Sequence, residues 1–218
     1  IWQTAWMKKI TFDHSLSKSK RLNFINDEID KISDIGLHEK NPDFLKSLKF
    51  EKVLNSFDLD HLFNGENQPN QTIKGVLEKF KDDFLKEIFI KVKEPKNSLY
   101  SISNTPFLQH SNTITRSLST QLGTIWEDIA CISPHVISSE KTFGNFKVKG
   151  VDAIIYLDQK LYFTQIKTMK GTLTGSQCPR SRRELGLFEN AYFVAAFDLG
   201  SWTFKCDRVP RIAGADFW

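Results

Sequence analysis

An aspartate and, thirteen residues later, a glutamine close to a lysine have the types and spacing of a metal-dependent hydrolytic site. Gln165 is followed two positions on by Lys167, and Asp152 precedes them. In an extended strand, residues i and i+2 point to the same face, so the side chains of Gln165 and Lys167 are expected on the same face of the sheet. A hairpin with its turn at residues 158–160 would place Asp152 across from them. The spacing therefore predicts that three polar groups converge on one side of a sheet.

The chemistry that suits these groups is hydrolysis of a phosphodiester bond. Oxygen ligands from a carboxylate and an amide hold Mg²⁺, which stabilises the charge on phosphorus and lowers the pKa of a water. A lysine beside the metal positions or deprotonates that water. Glu127, on the preceding helix, can supply a further oxygen ligand, directly or through water. We expect a catalytic site of Asp152, Gln165, Lys167 and Glu127, in which all but the lysine bind the metal.

The patterns around these residues predict strands and one helix. A continuous apolar run at 190–199 is typical of a strand that is covered on both faces. A helix that carries Glu127 is predicted to end at Pro134. We predict an α/β fold with a central mixed sheet flanked by helices, and strands at 141–148, 151–157, 161–168, 190–199 and 202–209. This helix is predicted to follow a loop. The prediction is based on the apolar residues that would share one side of the helix, Leu118, Leu122, Ile125, Trp126 and Ile129.

The first half of the chain has a helical pattern instead. Apolar residues recur at three- and four-residue steps from about residue 12 to residue 92, and one long amphipathic helix is predicted over 73–88. Turn formers predict breaks at 64–71 and 94–97. We predict a helical N-terminal region, residues 1–100, that serves dimerisation or DNA contact, and a catalytic domain at 101–218.

A basic segment follows the lysine of the site. Residues 159–183 contain six Lys or Arg and no acid, a composition suited to binding phosphates. Arginines there can contact phosphates, and one of them or Gln177 can read a base edge; a solvated basic loop is the alternative. The predicted DNA-binding residues are Lys170, Gln177, Arg180, Arg182 and Arg183.

Composition and motifs exclude several other classes. The three cysteines, an odd number, match neither a zinc ribbon nor a disulfide framework, and the five histidines lack the HExxH spacing. Glycine motifs for dinucleotides and nucleoside triphosphates are absent from the sequence, as is the nucleophile elbow. No apolar run approaches the roughly 18 residues of a membrane span, and no secretory signal pattern is present. We therefore expect a cytoplasmic protein with no membrane partner.

The residues of the hairpin resemble a known superfamily. The string GVDAIIYLDQKLYFTQIKT is similar to the core hairpin of PD-(D/E)xK nucleases, many of which have a preceding helix with a glutamate, as Glu127 would be here. The stretch TRSLSTQLGTIWEDIA, the basic segment and the ending AGADFW look most like type II restriction endonucleases. This resemblance covers about residues 115–218. It implies a restriction-endonuclease-like core, with Asp152 as the metal-binding aspartate and Lys167 as the catalytic lysine.

One position departs from the pattern of the superfamily. Asp or Glu usually stands where this chain has Gln165, and a neutral amide oxygen is a poorer Mg²⁺ ligand than a carboxylate. Some members are similar to this chain in using Gln there. The resemblance implies a site-specific endonuclease of double-stranded DNA that uses Mg²⁺, for which Mn²⁺ can substitute. A palindromic target would imply a homodimer.

Two other functions stay open at the level of the sequence. A repair or recombination nuclease of the same fold, such as a junction resolvase or a transposase-like enzyme, would share the site. A non-catalytic DNA-binding protein would keep the basic segment, with Gln165 marking a lost activity. Asp152 as a turn residue and Lys167 as a solvated lysine at a strand end are the plain structural alternatives.

Overall fold

The computed structural model describes residues 9–34, 37, 39–64, 72–93 and 105–218. In the first half it contains the helices α1 (Lys18–Asp30), α2 (Pro42–Asn55), α3 (Leu59–Asn64) and α4 (Ile73–Lys93). The second half contains α5 (Pro106–Ala130), β1 (Val136–Ile137), α6 (Ser139–Thr142), β2 (Ala153–Leu157), β3 (Lys160–Met169), α7 (Gln177–Leu185), β4 (Ala191–Phe197), β5 (Arg211–Ala213) and a short 3-10 helix (Gly214–Asp216).

The five strands form one mixed sheet in the order β1-β2-β3-β4-β5. The pairs β1/β2 and β2/β3 are antiparallel, whereas β3/β4 and β4/β5 are parallel. Between β2 and β3 the chain turns at Asp158 and Gln159, whose φ angles of 50° and 60° are those of a tight two-residue hairpin. The predicted hairpin and the predicted class, an α/β protein with a mixed sheet flanked by helices, are confirmed.

The helical prediction for the first half is confirmed for its described residues, and α4 contains the predicted helix at 73–88. Most of the break predicted at 64–71, and all of the break predicted at 94–97, lie outside the described residues. The helix that carries Glu127 begins at Pro106, so much of the segment predicted as a loop is helical. That helix ends at Ala130, four residues before Pro134.

Two of the predicted strands are wrong. Residues 141–148 begin in α6 and continue through a turn in which Gly144 and Asn145 have φ angles of 66° and 74°, which no strand permits. Residues 202–209 form an irregular segment, and the strand that pairs with β4 is β5, which follows it. The two-residue strand β1 was not predicted, because it is too short to show an alternating pattern.

The main hydrophobic core joins the N-terminal helices to one face of the sheet. Phe12, Phe50 and Phe57 pack around Phe143, with ring centroids 5.1, 5.5 and 6.3 Å from it, and Phe163 of β3 belongs to the same cluster. All five rings are fully buried, and burying each one contributes about 1.5–3 kcal/mol before entropy is counted. Residues of both predicted domains therefore share one core.

The opposite face of the sheet packs against α5. Ile166 of β3 and Val194 of β4 belong to one buried cluster with Ala130 there, and the Trp126 indole donates a hydrogen bond to Thr168 Oγ1 at 3.2 Å. This contact fixes the C-terminal half of α5, and with it Glu127, over the sheet. None of the helices in the described part of the chain combines the length and the apolar composition needed to cross a membrane.

The turn at Gly144 yields a test of the core. A Cβ on Gly144 would lie 1.9 Å from the carbonyl oxygen of Lys18 at the start of α1, and its φ of 66° disfavours any side chain. We expect Gly144→Ala to lower the free energy of unfolding by more than about 1 kcal/mol in urea denaturation. The matched control is Gly123→Ala in α5, where a Cβ meets no atom within 4 Å. This control should stabilise the protein by about 0.5–1 kcal/mol. Equal effects of the two changes would contradict the described packing.

Candidate active site

The pairing of β2 with β3 brings Asp152 alongside the segment of β3 that contains Gln165. The last antiparallel pair of the ladder joins Ala153 to Thr164, and the amide of Asp152 donates to the Thr164 carbonyl at 2.8 Å. Asp152 thus lies one residue before the ladder begins, and it bonds to β3 on both sides of Gln165, to Thr164 and to Ile166. The spacing in the sequence therefore brings Asp152 and Gln165 to the same end of the hairpin.

Asp152 is held against β3 by its own carboxylate. Its Oδ2 accepts hydrogen bonds from the backbone amide of Ile166 at 2.8 Å and from Lys167 Nζ at 3.5 Å. The buried backbone N–H of Ile166 needs an acceptor, and the β2 ladder does not extend far enough to provide a backbone carbonyl for it. Among the described residues both contacts fall on Oδ2, so Oδ1 is the oxygen that can bind a further ligand.

Lys167 and Asp152 form an ion pair that is accessible from outside. Their side chains are 27% and 21% exposed, and the distance of 3.5 Å is that of a loose contact. Because Lys167 is partly exposed, its ammonium group can contact an incoming anion while it stays near Asp152. The lysine is therefore placed where a substrate phosphate could reach it.

Gln165 is the most unusual member of the group. It is buried, at 7% exposure, and its Oε1 atom has no hydrogen-bond partner among the described residues. Leaving a buried acceptor without a partner costs about 1–3 kcal/mol. An amide oxygen is also a good ligand for a hard cation. A hard cation is therefore one group that could satisfy this acceptor.

Glu127 belongs to the same electrostatic group. Burial, as the largest cause, and the charge of Asp152 raise the pKa of Glu127 from 4.5 to about 8, against the lowering effect of Lys167 and Lys141. Burial also raises the pKa of Asp152, against the lowering effects of Lys167 and the Ile166 amide. Two carboxylates that each resist ionisation are stabilised as anions by a cation between them.

Within the described ranges, no three His, Cys, Asp or Glu side chains are grouped so as to hold a metal ion. The candidate set consists of two carboxylates and one amide. This set suits Mg²⁺, which commonly keeps several waters and uses only one or two carboxylates.

The predicted DNA-binding residues lie on α7 and the loop before it, and most are engaged locally. Lys170 pairs with Asp198 and stacks on Trp202, at 5.7 Å from the ring centroid. Gln177 Oε1 accepts from the Thr174 amide at 3.1 Å. The remaining contacts are those of Arg180 with Glu184, Arg182 with Cys178 and Arg183 with the ring of Phe44.

The structure thus places Asp152, Gln165 and Lys167 at one end of the hairpin, with Glu127 near enough for the charges of Asp152 and Lys167 to act on its pKa. The basic residues form a separate group on α7 and in the loop before it. Glu184 connects the two groups, and the sequence analysis missed it. It is 3% exposed, binds Arg180, and its charge raises the pKa of Asp152. The only signal in the sequence is an acid four residues after Arg180, at the end of the acid-free segment.

Comparisons with known proteins find no family model, no curated protein and no solved structure that matches this chain. The geometry of the site is therefore the observation on which a function can be based.

The raised pKa of Glu127 predicts a pH dependence of stability. In the unfolded chain Glu127 ionises near pH 4.5, whereas in the folded, metal-free protein it keeps its proton up to about pH 8. The folded state binds more protons in this window, so stability should fall as the pH rises through it. We expect the free energy of unfolding in EDTA to fall more steeply for the wild type than for Glu127→Gln. Denaturation at several pH values measures this, and parallel curves would rule out the raised pKa.

Proposed function

We propose that this chain is a Mg²⁺-dependent DNA endonuclease of the restriction type, with a restriction-endonuclease-like core. Its reaction is the hydrolysis of a phosphodiester bond at a specific sequence in double-stranded DNA. The observation that carries the proposal is the buried Oε1 of Gln165, which has no partner among the described residues and belongs to the segment of β3 that Asp152 is bonded to. The nearby Lys167 and Glu127 complete the set of groups that such a hydrolysis requires.

Each residue has a distinct task in the proposed reaction. Asp152, Gln165 and Glu127 would hold the Mg²⁺, for which Mn²⁺ could substitute. When bound, the ion supplies a positive charge that stabilises the phosphorane-like transition state and acidifies a water. Lys167 orients the attacking water and offsets the charge that develops on the phosphate. Asp152 also keeps Lys167 in place through their ion pair, at 3.5 Å.

The basic residues would bind the DNA around the cleaved bond. Lys170, Arg180, Arg182 and Arg183 supply positive charge for phosphates, and Gln177 lies at the start of the same helix. A homodimer would read a palindromic target, with the helical N-terminal region as a candidate dimer surface. Neutral Gln165 also favours a second candidate, a non-catalytic DNA-binding protein, because it removes one negative charge from the site.

Cleavage of plasmid or phage DNA, with Mg²⁺ and with EDTA, tests the proposed activity. We expect discrete fragments that require Mg²⁺ and that disappear in Asp152→Asn and Lys167→Gln. The same hairpin offers matched controls at its turn, Asp158→Asn and Lys160→Gln. Both control positions are exposed and lie at the opposite end of β3, so these variants should cut as the wild type does.

Each other outcome identifies a different function. Cutting restricted to branched DNA would indicate a junction resolvase or another repair or recombination nuclease. DNA that is bound but stays intact would indicate the non-catalytic binding protein. Equal loss of activity in the turn variants would mean that the effects at Asp152 and Lys167 are not specific to the site.

The metal ligands can be tested without any cleavage. Because ligand charge sets the affinity for Mg²⁺, we expect Gln165→Glu to lower the Mg²⁺ concentration that stabilises the protein about tenfold. Gln165→Met, which has a similar volume and no oxygen, should raise that concentration. Thermal unfolding in a series of Mg²⁺ concentrations measures both. If the three proteins respond alike, Gln165 is not a ligand.

A further inference from the structure

Glu184 stands at a position where stability alone disfavours an acid. Its side chain is 5% exposed, and burying a carboxylate costs free energy even when it is paired. It lies in the last turn of α7, where the helix dipole disfavours a negative charge. Its partner Arg180 precedes it by four residues, which is the less favourable order for such a pair. These costs point to a role other than stabilising the helix.

The loop that carries Asp152 rests directly on Glu184. A Cβ built on Gly150 would lie 2.5 Å from Glu184 Cβ and 2.6 Å from its Oε2. Gly150 also has a φ of 70°, which glycine adopts without strain. Only a residue without a side chain allows this approach. Glu184 therefore lies between the Asp152 loop and Arg180.

Arg180 is fixed at its inner end and open at its outer end. Its Nε donates to Glu184 Oε1 at 2.8 Å, while 65% of the side chain is exposed. Arginine is a planar fork with five N–H donors, so engaging Nε orients the two terminal amino groups. Paired, oriented N–H donors match the non-bridging oxygens of a phosphate.

We propose that Glu184 is a positioning residue that holds Arg180 ready to bind a phosphate of the DNA backbone next to Asp152. This inference rests on the proposed function, and it names the group through which α7 contacts the strand that is cut. Glu184 touches neither the phosphate nor the metal. Its contribution to DNA binding passes entirely through the guanidinium of Arg180.

A double-mutant cycle on DNA binding tests the proposal. The probe is a short fluorescent DNA duplex, measured by anisotropy at several salt concentrations in EDTA, so that no cleavage occurs. Arg180→Gln should lower the slope of log affinity against log salt by about 0.9, the value for one lost phosphate contact. Glu184→Gln should weaken binding several-fold in the wild type and have no effect in the Arg180→Gln protein. Lys160→Gln, which removes an equal charge at the distant turn, should leave the slope unchanged.

The cycle separates positioning from a merely structural role. A structural role of Glu184 would give the same loss with and without Arg180, and this result would overturn the proposal. An unchanged slope in Arg180→Gln would overturn it as well. If Glu184→Gln does not fold, Glu184→Asp takes its place, because it keeps the charge and withdraws the carboxylate from Arg180.

Failure of the proposed function can be distinguished from failure of this inference alone. A folded wild-type protein that neither binds nor cuts DNA would overturn the endonuclease and this inference together. A wild type that cuts DNA with Mg²⁺, but shows no coupling between Glu184 and Arg180, would overturn the inference alone.

Discussion

The site depends on a single backbone amide that the sheet leaves without a strand partner. Just before β2 begins, the N–H of Ile166 donates a hydrogen bond to the carboxylate of Asp152. Because a buried amide must be satisfied, this bond fixes Asp152 along β3 regardless of what else the residue does. The same oxygen accepts a hydrogen bond from Lys167, and Gln165 lies on β3 between the two residues whose backbone groups bond to Asp152, Thr164 and Ile166. The residues of the candidate active site are therefore held in place by the hydrogen bonds that any β-hairpin must form.

The surroundings of the hairpin concentrate negative charge in a poorly solvated place. The charge of Glu184 on α7 raises the pKa of Asp152. The charge of Asp152 in turn raises the pKa of Glu127 on α5. Lys167 and Arg180 offset this charge only in part, because both of their side chains also face solvent. Such an arrangement favours binding of a cation inside and of an anion outside. The metal ion and the DNA backbone of the proposed function are partners of these two kinds.

The hairpin could be predicted because its information is local. Alternating residues and a polar turn define β2 and β3, and strand geometry then places Asp152 near Gln165 and Lys167. The strand prediction at 141–148 was wrong because Phe143 and Phe146 are buried although their backbone is irregular, with Gly144 in the left-handed region. Glu184 could not be predicted, since an acid on a basic helix is usually solvated. Its burial is a property of the tertiary packing.

The aromatic cluster also has a consequence for biosynthesis. Phe12 and Phe143 are far apart in the chain, yet their rings lie 5.1 Å apart, and the segment that starts at Phe143 leads into Asp152. Contacts between such distant residues form late, because a long loop must close first. The described core also extends to Phe204. A nascent chain on the ribosome therefore cannot complete the core beneath the site until the segment around Phe204 has been synthesised.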